Sequence, residues 1–158
     1  MSLIRRLLNT HLLTTYQIGV LVARTHRELK AHTDAVLAPY ELTSVDWAIL
    51  GLLHDDKGAG MKLINLSEEL GVEAPFVTLR IKRLQVRELI AVKSGAEDKR
   101  ERLATITPLG TKLVTIIEPI LRSASRTWLK GVGPLDVKGF ITVMKTVVLN
   151  NQKDRQNH

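Results

Sequence analysis

Residues 66–90 read LSEELGVEAPFVTLRIKRLQVRELI, and their pattern decides the fold. A short amphipathic helix over 63–70 is stopped by Gly71, because glycine takes the left-handed C-terminal conformation at no steric cost. Pro75 then opens a longer helix through about Leu89, since a first turn does not need the N–H that proline lacks. Two helices joined by Gly71-Val72-Glu73 form a helix-turn-helix in outline. At 100° per residue, Val77, Ile81 and Leu84 fall in one narrow stripe that should pack on the preceding helices. The opposite side presents Pro75, Leu79, Lys82 and Val86, flanked by Phe76, Thr78, Arg83 and Arg87.

Downstream the period changes. Residues 89–93 (LIAVK) and 102–107 (RLATIT) are rich in β-branched side chains and flank the polar stretch SGAEDKRE, which predicts a β-hairpin with a charged tip. Thr107 and Pro108 supply the cap and first residue of a long helix to about Lys130, in which Pro119 should introduce a kink. A last helix is expected over about 135–149, followed by a disordered tail over 150–158. Upstream, TSVDWAILGLLH (43–54) reads as a helix capped by Thr43 or Ser44, with Asp46 adding favourable negative charge to its first turn. Residues 3–30 read as one long helix, and Pro39 ends an extended region after it.

The 158-residue chain has a formal net charge of +7 and a sequence pI near 9.9, a balance that favours a polyanionic partner. The surplus has two homes. One is central, where eight of the residues in 73–102 are basic and five acidic; the other is at the two chain ends. Cysteine is absent, which excludes disulfides and thiolate metal sites and agrees with a reducing cytosol. The N-terminal apolar residues are interrupted by Arg5 and Arg6, unlike a secretory signal, and no apolar run nears the ~20 residues of a membrane span. A soluble, cytoplasmic protein with no membrane partner is expected.

Three stretches together, LTSVDWAILGLL (42–53), the quoted 66–90 and EDKRERLATITPLG (97–110), resemble the MarR family of bacterial transcriptional regulators. The most specific match is Asp98-Lys99-Arg100, then Leu103 to Thr107 and Gly110, which fits the family's D-x-R … L-T-x-x-G pattern. The resemblance implies a mainly α fold with a small β-hairpin wing. A winged helix-turn-helix lobe would occupy 42–110, and both chain ends, 1–40 and 111–149, would form a helical dimerisation region. It further implies a homodimer on a pseudo-palindromic double-stranded operator and, in many members, a small-molecule effector that weakens DNA binding. The chain departs from the pattern at Leu79, where the family often has Arg, at Arg80, usually apolar, and at Glu88, commonly Gly. These departures bear on the base contacts rather than on the fold.

On that reading the DNA-facing residues are Ala74, Pro75, Phe76, Thr78, Leu79, Lys82, Arg83 and Arg87 on the second helix, with Asp98, Lys99, Arg100 and Arg102 in the wing. A helix of this width enters the major groove. Thr78 suits a base or phosphate, Phe76 and Leu79 suit thymine methyls, and Lys82, Arg83 and Arg87 suit phosphates. Arg100 fits a narrow minor groove, whose negative potential attracts a guanidinium. Asp98 would hold the wing tip in shape, while Lys99 and Arg102 would add phosphate contacts. Arg80 lies near the buried edge, with its stem packed and its head expected to snorkel outward. A merely amphipathic helix with a solvated basic face would share the same periodicity, and a solvated charged turn would share the hairpin's composition.

Other chemistries find little. His54-Asp55-Asp56 offers potential metal ligands, but His26 and His32 are six residues apart and do not share a helical face. No metal or cofactor is expected. There is no G-x-S-x-G, no phosphate-cradling glycine loop and no cysteine nucleophile, so an enzyme is not expected. The basic amphipathic start suits an anionic membrane surface or packing against the C-terminal helix of the same or a partner chain, and the apolar stripes of both chain ends favour dimer packing. Trp47 and the inner residues of the first and fifth helices suit either a ligand pocket or ordinary core. The alternative function is a winged-helix module kept for protein association after losing DNA binding.

Overall fold

The computed structural model describes residues 15–94 and 102–156. It divides into two compact units, 1–121 and 122–158. The elements of the first unit are α1 (Thr15–Leu37), a 3-10 turn (Ala38–Tyr40), α2 (Ser44–Asp55), β1 (Met61–Lys62), α3 (Leu63–Leu70), α4 (Ala74–Val86), β2 (Ile90–Ser94) and β3 (Arg102–Ile106). Helix α5 (Pro108–Trp128) starts in this unit and ends in the second, which also holds α6 (Pro134–Gln156). The fold is mainly helical, with a small antiparallel sheet of order β1-β3-β2.

The start of α2 shows how local sequence fixes an element. Thr43 is its N-cap, and its hydroxyl accepts from the Asp46 N–H at 3.3 Å while the Asp46 carboxylate accepts from the Thr43 N–H at 2.9 Å. This reciprocal box satisfies two donors that a helix start otherwise leaves open, where losing such a cap typically costs ~1 kcal/mol. From α2, Ile49, Leu50 and Leu53 enter a core completed by Leu37, Leu66, Val77, Ile81, Leu84, Ile90, Ala104 and Ile117. Each fully buried aliphatic side chain of this kind contributes roughly 1.5–3 kcal/mol.

The sheet is pinned by its register. Strands β2 and β3 pair from Ile90 with Ile106 to Ser94 with Arg102, and β1 adds Met61 against Ala104 and Lys62 against Leu103. Thr107 locks the exit of β3: its N–H donates to the Leu89 carbonyl at 3.1 Å and its hydroxyl to the Glu88 carbonyl at 2.7 Å. The same hydroxyl accepts from the Gly110 N–H at 3.0 Å, capping α5. Gly110 is required by this docking, because a Cβ there would lie 2.2 Å from the Leu89 carbonyl oxygen.

Three features differ from the sequence reading. Helix α1 continues to Leu37 instead of stopping near residue 30, since nothing in AHTDAVL breaks a helix before Pro39. The two-residue strand β1 was not expected; two residues carry no readable alternation, and their pairing depends on β3. Helix α6 continues through Gln156, past the expected end at 149, because the polar residues there include no Gly or Pro. Along α6, Phe140, Ile141, Met144, Val147 and Val148 are exposed apolar side chains.

Candidate nucleic-acid interface

The turn between α3 and α4 is set by Gly71, whose φ of 63° lies in the left-handed region. Its N–H reaches the Glu68 carbonyl at 3.1 Å, and the Val72 N–H reaches Ser67 at 3.0 Å, closing the end of α3. Pro75 sits in the first turn of α4 as its chemistry requires. Val77, Ile81 and Leu84 are all buried, so the stripe inferred from periodicity is the packed face of α4. That packing turns the other face out: Leu79 is 65% exposed, Val86 85% and Phe76 38%. Lys82 is exposed as well. Thr78 is part-buried, and its hydroxyl donates to the Ala74 carbonyl at 3.0 Å, leaving its lone pairs to accept.

The arginines of α4 are arranged in a way periodicity did not reveal. Arg83 Nη2 donates to the Glu41 carbonyl at 3.0 Å. Arg87 donates to the same carbonyl from Nη1 at 2.9 Å and to the Tyr40 carbonyl from Nη2 at 2.8 Å. Glu41 has a left-handed φ of 53° where the 3-10 turn ends, and its N–H closes that turn on the Ala38 carbonyl. Two residues expected at phosphates therefore hold the exit of α1 to α4.

Arg80 faces inward rather than snorkelling out. Its Nη1 lies 3.6 Å from Oδ2 of Asp46, which has no solvent exposure, and its guanidinium stands 5.3 Å from the centroid of the Phe76 ring. The Asp46 carboxylate thus serves both the α2 cap and this ion pair. An apolar residue would suit this position without a partner; Asp46 is the partner that permits a cation, and it lies 34 residues away in sequence, beyond the reach of helical periodicity.

At the wing, exposed Arg102 stands at the base of the hairpin opposite Ser94. Asp98, Lys99 and Arg100 lie outside the described residues. Elsewhere, an open cleft of about 570 Å³ is lined by His54, Lys57, Thr107, Thr111 and Lys112 among others, and Trp47 is not part of it. Among the described residues, no three His, Asp or Glu side chains gather closely enough to hold a metal ion, and no single helix is long and apolar enough to cross a membrane.

Residues 42–101 match the model of the MarR family. That span runs from the residue before the α2 cap to the wing, so the family read from the sequence and the family matched are the same. Among solved structures, the chain is similar to a MarR-family transcriptional regulator from Rhodococcus sp. RHA1, with a TM-score of 0.79 at 16% identity, covering 88% of this chain and 96% of that one. Bordetella bronchiseptica BpsR, studied for regulation of its DNA binding by 6-hydroxynicotinic acid, matches with a TM-score of 0.75 at 22% identity, covering 87% and 97%. Staphylococcus aureus MepR, solved with DNA, matches with a TM-score of 0.74 at 19% identity, covering 88% and 99%. The likeness is one of fold.

Proposed function

We propose that this chain, whose residues 42–101 carry the MarR-family winged helix, is a homodimeric, sequence-specific DNA-binding regulator of transcription. In this reading α4 enters the major groove and the wing enters the adjacent minor groove, with Arg100 as the shape-reading residue. Phosphate neutralisation supplies most of the affinity, and base contacts supply the choice of site. The regulator acts as a repressor that a small ligand releases from its operator.

The observation that carries the proposal is the outward face of α4: Phe76, Leu79, Lys82 and Val86 stand exposed on a helix whose other face is locked into the core. Apolar groups left in water on a rigid helix mark a binding surface. A relative of the same fold solved with DNA, and another whose DNA binding responds to a small acid, support the class of partner and of effector.

The test is selection of bound fragments from random duplex DNA, followed by titration of the selected site at several salt concentrations. Recovery of a two-fold related sequence, bound with a steep salt slope, is the expected result. Weak binding without salt dependence overturns the proposal and favours the protein-association module. Arg100→Ala is expected to weaken operator binding at least tenfold with the dimer intact; unchanged gel-shift affinity would remove Arg100 from the interface.

A further inference from the structure

Reading guanine in the major groove takes a guanidinium or ammonium free to reach O6 and N7. Helix α4 carries four cations within or at its end, and three are engaged elsewhere. Arg80 is paired with buried Asp46, while Arg83 and Arg87 donate to the carbonyls of Tyr40 and Glu41. Lys82 is exposed and has no ion-pair partner among the described residues. Apart from this one ammonium, what the helix offers outward is apolar: Phe76 one turn before Leu79, then Val86 two turns on.

Phe76 is not a loose side chain. Arg80 is one turn away on the same face, and its flat guanidinium lies over the ring at 5.3 Å from the centroid. That guanidinium also lies 3.6 Å from the buried Asp46 carboxylate, itself fixed by the Thr43 cap. The ring is thus stacked on a cation that cannot swing away without leaving a buried carboxylate unpaired. A ring ordered before binding gives up little rotamer freedom on contact.

We propose that α4 reads thymine 5-methyl groups through Phe76 and Leu79, and that Arg80, clamped by Asp46, is the positioning residue that sets the Phe76 ring. This rests on the DNA-binding reading above and adds the chemistry of the bases it selects. Operator half-sites are then expected to place A·T pairs, with their methyl groups in the major groove, opposite the start of α4.

Deoxyuridine pairs as thymidine does but lacks the methyl group, so it isolates the contact. With the selected operator and the full-length protein, replacing each thymidine in turn should lower affinity about fourfold at a contacted position, the loss of one buried methyl group. The salt slope should not change. Phe76→Ala and Leu79→Ala should each bind the thymidine and deoxyuridine duplexes equally at one position. Because Arg80→Ala strands a buried carboxylate and endangers folding, the positioning role is tested with Arg80→Leu combined with Asp46→Asn. That variant should keep the wild-type salt slope and lose methyl discrimination at the Phe76 position, and Arg80→Lys with Asp46 intact should restore part of it. Discrimination unaltered in the Leu/Asn variant overturns the role of Arg80. Duplex binding with no methyl dependence at any position overturns the inference alone, whereas a wild-type protein that ignores duplex DNA at low salt overturns the DNA-binding reading with it.

Discussion

Glu88 is held in a conformation that its side chain disfavours. Its φ is 56°, in the left-handed region, directly after the end of α4 and before β2. A non-glycine residue there costs roughly 1–2 kcal/mol, partly offset because glycine loses more freedom on folding. Glu88→Gly is therefore expected to raise stability by roughly 0.5–1 kcal/mol in urea unfolding; a loss of stability would show that the side chain makes a contact worth more than the strain. The position was legible in sequence as a departure from glycine. Its backbone angle was not, because the turn it belongs to is tied to a distant residue: the Thr107 hydroxyl donates to the Glu88 carbonyl at 2.7 Å. Arg80 makes the same point more strongly. Its place near the buried edge followed from a 100° count, but the direction of its head depended on a carboxylate in another helix.

Elements were easier to read than the ties between them. Helices α2 and α3, the Gly71 stop and both hairpin strands follow from period and punctuation, whereas β1 exists only because β3 is there to pair with it. The ends of α1 and α6 ran past their expected limits, since a helix without a breaker stops where its packing and capping dictate. Among the ties is Asp34, on α1. Burial raises its pKa, but the Lys30 ammonium and the Ser44 N–H outweigh that and hold the carboxyl below the ordinary value near 4. A depressed folded pKa stabilises above the unfolded value and loses that contribution as pH falls through the folded one. The stability gap between wild type and Asp34→Asn, measured by thermal unfolding, should thus be constant from pH 7 to about 5 and close below about 4; a gap that widens on acidification would contradict it. For α4 as an element, Lys82→Ala should flatten the plot of log affinity against log salt by roughly 1.8 for the proposed dimer, about 0.9 for the phosphate at each half-site. Arg83→Ala should change that slope less and lower stability more, because its guanidinium holds the α1 exit.

At the scale of the whole molecule, apolar surface remains uncovered. Phe140, Ile141, Met144, Val147 and Val148 on α6, like Tyr16, Leu21 and Val22 on α1, are exposed in a single chain. Burial between two copies, as the proposed dimer requires, would account for them, and the periodicity of the chain ends raised the same expectation. A Phe140→Asp, Val147→Asp double variant should elute as a monomer in size-exclusion chromatography and lose about 100-fold or more in operator affinity, the gain that linking two half-site contacts supplies. A dimer that survives these charges would place the interface elsewhere.

The grip of Arg83 and Arg87 on one carbonyl reaches beyond anchoring. It ties α4 to the exit of α1, so the two cannot tilt independently without breaking charge-assisted bonds. On the DNA-binding proposal, a rotation of α1 would then carry α4 and its outward side chains with it as a change of pitch.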